Sequence, residues 1–218
     1  MAWHPHYTKI AVASRDDSVL VYASSSSVPV IVRQASQRDV SALAWRPLSS
    51  SHLAVGCAMG VAVWTVDPAS LGTRPSASCL NLLPHSSPVN SVAWDPQGKL
   101  LASGSAKDSS LYIWNVESRE PTVLKKFRGG GYTLLAWSPS GDRLLTATPA
   151  SVFRIWETRR WSAEDWDVLD GHVQSAVWSP CGTKLIFADS GQPTLYSLSV
   201  DSMPPFGQKL HTTLKVHL

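Results

Sequence analysis

Ser91-Val92-Ala93-Trp94-Asp95-Pro96-Gln97-Gly98 runs on through Lys99-Leu100-Leu101-Ala102-Ser103-Gly104-Ser105. After a polar break comes Leu111-Tyr112-Ile113-Trp114. Val89 to Trp94 reads as a short strand. Pro96-Gln97-Gly98 reads as a turn, because proline fixes φ and glycine accepts φ > 0. Lys99 to Ser105 is a second strand, Lys107-Asp108-Ser109 a second tight turn, and Leu111 to Val116 a third strand. Thr122 to Phe127 supplies a fourth. Both faces of these strands carry apolar side chains, which suits sheets stacked face to face with water on neither side. No segment sustains a helical period, so almost no helix is expected.

The same unit recurs along the chain. Ala2-Trp3-His4-Pro5, Ala44-Trp45-Arg46-Pro47, Ala93-Trp94-Asp95-Pro96, Ala136-Trp137-Ser138-Pro139 and Val177-Trp178-Ser179-Pro180 are one motif, with Trp spacings of 42, 49, 43 and 41 residues. A strand ending in an aromatic residue follows each: Val19 to Tyr22, Val61 to Trp64, Leu111 to Trp114, Phe153 to Trp156 and Thr194 to Tyr196. The step from first to second aromatic is 19, 19, 20, 19 and 18 residues. Two motifs in register through five units, each of four short strands, indicate an all-β propeller. The repeats fall around 1–35, 36–80, 81–127, 128–168 and 169–200, with a divergent tail over 201–218. The 49-residue interval holds an insertion of turn formers from Asp67 to Ser76. Ala23 to Ser27 is a serine-rich tip. Such loops are where a propeller carries function.

The rest of the sequence narrows the function classes. It has 218 residues and a formal charge of +3, and ten tryptophans are its one unusual total. It has no apolar run long enough for a spanning helix and no signal peptide pattern at its start. Cys57, Cys79 and Cys181 form no C-x-x-C pair and read as reduced thiols of an intracellular protein. The basic groups Lys125-Lys126-Phe127-Arg128 and Arg159-Arg160 are too short for a nucleic-acid tract, so direct nucleic-acid binding is not expected.

These residues resemble the WD-repeat family. His85 stands nine residues before Trp94 and Asp108 six before Trp114, the family's positions for its His and turn Asp. The resemblance implies a hydrogen-bond chain of His85, Asp108, Ser103 or Ser105, and Trp114 that pins the third blade. Other units depart from the pattern, with Ala58, Ala150 and Ser190 at the Asp position and Arg128 at the His position of unit four. The pin is therefore expected in unit three only. Trp45, Trp64, Trp94, Trp114, Trp137, Trp156 and Trp178 are the structural repeat residues. Within the family, Phe127-Arg128-Gly129-Gly130-Gly131, Ser70-Leu71-Gly72-Thr73-Arg74-Pro75-Ser76 and Ala150 to Glu157 are similar to the aladin family of WD-repeat nucleoporins, over about residues 1–200. That likeness implies a scaffold of the nuclear pore complex at the nuclear envelope, held by other nucleoporins, in particular a membrane-embedded one, and acting in nucleocytoplasmic transport. It also allows a cytoplasmic or spindle pool. Another WD-repeat adaptor, such as a ubiquitin-ligase substrate receptor or a chromatin reader, is the alternative.

No enzyme motif is present. His4 and His6 lack partners at ligand spacing, and the His4 position, which varies among the repeats, reads as a surface turn. Gly129-Gly130-Gly131 lacks the Lys-Ser/Thr and helix of a phosphate cradle. Cys181 has no basic partner in sequence to lower its pKa. No metal, cofactor or catalytic residue is expected. Arg128, Arg159, Arg160, Trp161 and Trp166 are the candidate interaction residues, since Trp and Arg are enriched in binding hot spots. For Trp161 and Trp166 the alternative is an edge-capping role in the fourth strand. The first unit begins inside its first strand, so its blade is expected to be incomplete and the ring partial. Open edges of that kind invite self-association, and Leu210 to Leu218 could pair with one.

Overall fold

A computed structural model describes residues 1–24, 28–67, 76–125, 129–167, 171–191, 193–200 and, as backbone, 216–217. Among these residues there is no helix. Twenty strands form five four-stranded antiparallel sheets, each built from four consecutive strands in chain order. The first blade is β1 (Ala2–Trp3), β2 (Lys9–Ala13), β3 (Val19–Ala23) and β4 (Val30–Val32). The second is β5 (Ala42–Trp45), β6 (His52–Cys57), β7 (Gly60–Asp67) and β8 (Ser76–Pro84). The third is β9 (Ser91–Trp94), β10 (Leu100–Ser105), β11 (Asp108–Asn115) and β12 (Pro121–Lys125). The fourth is β13 (Leu134–Trp137), β14 (Arg143–Ala147), β15 (Val152–Glu157) and β16 (Ser162–Asp167). The fifth is β17 (Val173–Trp178), β18 (Lys184–Asp189), β19 (Thr194–Ser199) and β20 (Val216–His217).

The first strands of successive blades lie side by side in the order β1, β5, β9, β13, β17. They form the inner wall, and the cores lie between blades. In the second blade, Trp45, Leu53 and Trp64 stand in one cross-strand row and pack on Ala11, Val19, Val21, Val30 and Val32 of the first. Its other face, with Ala54, Val61, Val63 and Leu83, packs on Val89, Val92, Trp94, Leu101 and Trp114 of the third. The third and fourth blades share Ala102, Leu111, Ile113, Leu135, Leu144 and Trp156. The fourth and fifth share Leu145, Phe153, Ile155, Trp166, Trp178 and Leu185. This explains why the strands are apolar on both faces: a blade between two others has no solvent face.

The recurring Ala-Trp dipeptide has a specific use at these joints. In the second to fifth blades the inner-strand indole donates to a carbonyl of the preceding blade's inner strand. Trp45 Nε1 donates to Ala2 O (3.1 Å), Trp94 to Ala44 O (3.1 Å), Trp137 to Ala93 O (3.0 Å) and Trp178 to Ala136 O (3.0 Å). The acceptor is always the residue before the preceding blade's own Trp. An alanine there leaves room for the incoming ring, and the bond meets the indole's need for a partner when buried.

The Pro-x-Gly turns follow the expected chemistry. Gly98, Gly141 and Gly182 sit at φ +68°, +76° and +74°, and each N–H donates to the carbonyl of the residue after the inner Trp. That residue also caps the turn through its side chain. Asp95 Oδ1 accepts from Leu100 N, Ser138 Oγ from Arg143 N, and Ser179 Oγ from Lys184 N. His4 fills this role in the first blade. It is buried, not a surface residue as the sequence led us to expect. Its Nδ1 accepts from the backbone N–H of His6 and Tyr7, and its Nε2 meets Ser49 O at 2.8 Å. Burial, the largest cause, lowers its pKa.

The first sheet contains four strands, although β1 is only two residues long. Its face turned away from the second blade carries Trp3, Ile10 and Tyr22 in one row and Val12, Leu20 and Ile31 in the next. Trp3 is 67% and Ile31 63% exposed. At the other end Val177 is 62% exposed. No joint like those between successive blades links β17 to β1, so the five blades form an open, partial ring. The Pro68 to Pro75 insertion, Ser25 to Ser27 and most of the tail from Asp201 lie outside the described residues; within the tail, β20 completes the fifth sheet.

The indole bonds predict a graded mutational pattern. Trp94→Phe and Trp137→Phe should each cost about 1 kcal/mol, the usual net value of one such hydrogen bond. Trp3→Phe should leave the urea midpoint of unfolding unchanged.

Candidate interaction sites and the blade pins

The third blade contains a connected polar cluster. Trp114 lies on β11 and Ser103 on β10, diagonal across the strands two register positions apart: Trp114 is opposite Leu101 and Ser103 opposite Tyr112. Trp114 Nε1 donates to Ser103 Oγ at 2.8 Å, and the same oxygen meets His85 Nε2 at 2.7 Å. Ser103 is fully buried. Tyr112 stacks parallel to Trp114 at 5.6 Å between ring centroids, and His85 lies 4.2 Å from Tyr112. Of the two serines left open by the sequence, Ser103 is the one in the chain; Ser105 Oγ accepts from Lys107 N instead. Asp108 is not hydrogen-bonded to His85. Burial works to raise its pKa, but its carboxylate accepts from Ser86 Oγ and Ser110 N, and these bonds bring the pKa below the usual value.

Side-chain pinning extends beyond the third blade, in contrast to the expectation from the motif. Trp64 Nε1 donates to Gln37 Oε1 (3.1 Å), and Gln37 Nε2 in turn donates to Asp17 O. Trp156 Nε1 donates to Thr146 Oγ1 (3.0 Å). The physical demand is only that a buried indole find an acceptor. A glutamine from the connecting segment or a threonine on the neighbouring strand meets it as well as the serine does.

Ser103, His85 and the nearby Asp108 contain the residue types of a nucleophile, a base and an orienting acid. The serine, however, is sealed from solvent and already accepts the Trp114 indole, so no substrate carbonyl can approach it. Among the described residues no group of three His, Cys, Asp or Glu could hold a metal ion. Cys181 differs from expectation. It is exposed on the Pro180-Cys181-Gly182 turn, and the hydroxyls of Ser179 and then Thr183, at 3.3 and 2.9 Å, lower its pKa to about 7. The signal was present in the Ser-Pro-Cys-Gly-Thr sequence, where hydroxyls two residues to either side fold back over the thiol.

The candidate interaction residues separate in space. Arg159 and Arg160 are exposed on the turn between β15 and β16, where their backbone N–H groups donate to the Glu157 carboxylate. Trp161 ends that turn at φ +53° and packs edge-on to Trp137, 6.1 Å away. Trp166 is buried and stacks on Phe153 at 6.2 Å. Arg128 lies outside the described residues. The triglycine beside it has a steric reason: a Cβ on Gly131 would stand 2.2 Å from Ser105 O, and Gly129 has φ +92°. Arg154, which the sequence reading passed over, is fully buried on β15 and pairs with Asp165 Oδ1 at 2.8 Å. The register sets the two residues opposite each other.

Two measurements probe the pin. Trp114→Ala should cost about 3–5 kcal/mol, the range for a buried aromatic, and the half-buried Trp161 should cost less; equal losses in thermal unfolding would contradict this. Burial depresses the His85 pKa to about 4. The unfolded chain takes up a proton near pH 6.5 that the folded chain refuses until about pH 4. The His85 contribution is therefore complete above pH 6.5 and is lost as the pH falls through that window. Plotted against pH, the stability of His85→Gln should fall less steeply there than that of the parent.

Comparison with known proteins agrees with this architecture. The family described as the Aladin seven-bladed propeller matches residues 1–216. Aladin of Arabidopsis thaliana is 30% identical over 230 residues, covering 94% of this chain and 51% of that protein. The chain thus spans about half the length of this relative. A periodic tryptophan protein 2 homolog of Caenorhabditis elegans is 26% identical over 73% of the chain and 17% of its own length. THO complex subunit 3 of Arabidopsis thaliana is 33% identical over 45% of the chain and 33% of its own length. With five blades in place and the match running over nearly all of its length, the chain belongs to the Aladin seven-bladed propeller family.

Proposed function

We propose that this chain acts as a non-catalytic interaction scaffold of the nuclear pore complex and contributes to nucleocytoplasmic transport. The family match over residues 1–216 carries this reading. The structure is compatible with it: the polar cluster of the third blade serves packing, and turns leave charged side chains such as Arg159 and Arg160 exposed. Its partners are other nucleoporins, in particular a membrane-embedded one that holds it at the nuclear envelope. Arg159 and Arg160, exposed on the turn between β15 and β16, are side chains available to such a partner on the fourth blade. A fluorescently tagged chain should give a nuclear-rim signal, weakened by Arg159→Ala with Arg160→Ala. A diffuse nuclear or cytosolic signal from a folded, full-length product would favour a different WD-repeat adaptor.

A further inference from the structure

We infer that Ser162 is a phosphoacceptor for an arginine-directed protein kinase, and that its phosphate reverses the charge of the turn between β15 and β16. Arg159-Arg160-Trp161-Ser162 sets arginines three and two residues before a serine, and no other serine or threonine of the chain has a basic residue at both positions. A kinase that reads arginine does so with carboxylates in its cleft, each able to hold a guanidinium by two parallel hydrogen bonds. The spacing from arginine to hydroxyl then selects the substrate. Here Arg159, Arg160 and Ser162 are all exposed. Among the described residues the Ser162 hydroxyl takes part in no hydrogen bond. The other hydroxyls that follow an arginine by three residues are worse placed. Ser18 and Thr146 are buried, Ser49 Oγ is bonded to His52 Nδ1, and Ser41 Oγ reaches Gly56 O. Ser36 and Thr122 have a single arginine each, and Arg33, which serves Ser36, is already met by Asp16 at 3.6 Å.

The fold lets this segment reach a cleft. β16 is the outermost strand of its sheet, and Ser162 forms the end pair of the ladder, opposite Glu157. Drawing Arg159 to Ser162 out as an extended strand costs that pair, the Trp161–Trp137 edge contact and the two N–H bonds to Glu157. It also releases Trp161 from φ +53°, a backbone region that disfavours a bulky side chain. Strand ends and turns open at low cost relative to the core. In the transfer, Ser162 Oγ attacks the γ-phosphorus of ATP. The Oγ–P bond forms as the bond to the β-phosphate oxygen breaks, ADP leaves, and the hydroxyl proton passes to the kinase's base. Two arginines against Glu157 leave the turn with one excess positive charge; a phosphate of about −1.5 to −2 takes it negative. The phosphate also stands opposite Glu157 and competes with it for the arginines. A partner drawn to the two guanidiniums is thereby released, a consequence that rests on the scaffold role proposed above.

Incubating the 218-residue chain with the catalytic subunit of cyclic-AMP-dependent protein kinase and magnesium ATP tests the site. One phosphate should appear, mapped to Ser162 by peptide mass spectrometry. Ser162→Ala should remove it with the urea midpoint of unfolding unchanged, because the side chain is exposed. Arg159→Ala and Arg160→Ala should each slow the transfer roughly tenfold or more, the loss expected of a charge-assisted bidentate contact. A chain left unmodified, or a phosphate placed on Ser36 or Thr122 in its stead, would overturn the proposal. In cells, Ser162→Asp should weaken the nuclear-rim signal that Ser162→Ala keeps, and an equal signal in both would sink the charge reversal as a release step. A diffuse signal from the parent chain would count against the scaffold role alone, because the kinase assay stands without it.

Discussion

A single hydrogen bond, repeated four times, sets the geometry on which the rest of this structure depends. Each inner-strand tryptophan crosses to the blade before it and donates to a backbone carbonyl. The bond fixes the height of one sheet relative to the next, because the acceptor is always the carbonyl one residue before the neighbouring Trp. Once that height is fixed, the cross-strand rows on the two blades meet and the interblade cores close. Sheet packing alone is tolerant of sliding, since apolar side chains make contacts in many registers. A directional bond to a carbonyl is not tolerant, and misplacing it would leave a buried indole N–H unsatisfied, at a cost of roughly 1–3 kcal/mol. The ladder therefore converts a nonspecific hydrophobic stack into one particular arrangement.

The motif period made the blades legible in the sequence, and the reason is physical. The residue before an inner Trp receives the next blade's indole and must be small, so Ala-Trp-x-Pro recurs in the first four units, and Val177-Trp178-Ser179-Pro180 keeps the Trp and the turn proline in the fifth. The turn between the first two strands needs φ > 0, so glycine recurs in three units. The strand limits shifted by up to three residues; β11, for example, begins at Asp108 rather than Leu111, because the hairpin pairing extends into what composition marks as a turn.

What the sequence concealed was the identity of polar partners. The Trp64 indole is satisfied by Gln37, which is 27 residues away and belongs to a connecting segment. No spacing rule points to that residue. Ser103 was one of two equivalent serines until the register chose between them. The Arg154–Asp165 pair depended on the length of the turn between β15 and β16, which sets the two residues opposite each other. His4 looked like a variable surface position because the residue there changes from unit to unit. Its burial follows from the turn packing on Ser49 of the next blade, a tertiary fact. In each case the missing information was which segment comes alongside which.

The same division explains why the fold is so much plainer than the binding surface. Repeated positions are spent on the joints: the inner Trp, its alanine, the third-strand aromatic and its acceptor all point between blades. The residues left for a partner are on turns, such as Arg159 and Arg160, whose side chains no joint constrains. A side chain free of the joints is free to differ, and this freedom is what allows one scaffold to present distinct contacts around its rim.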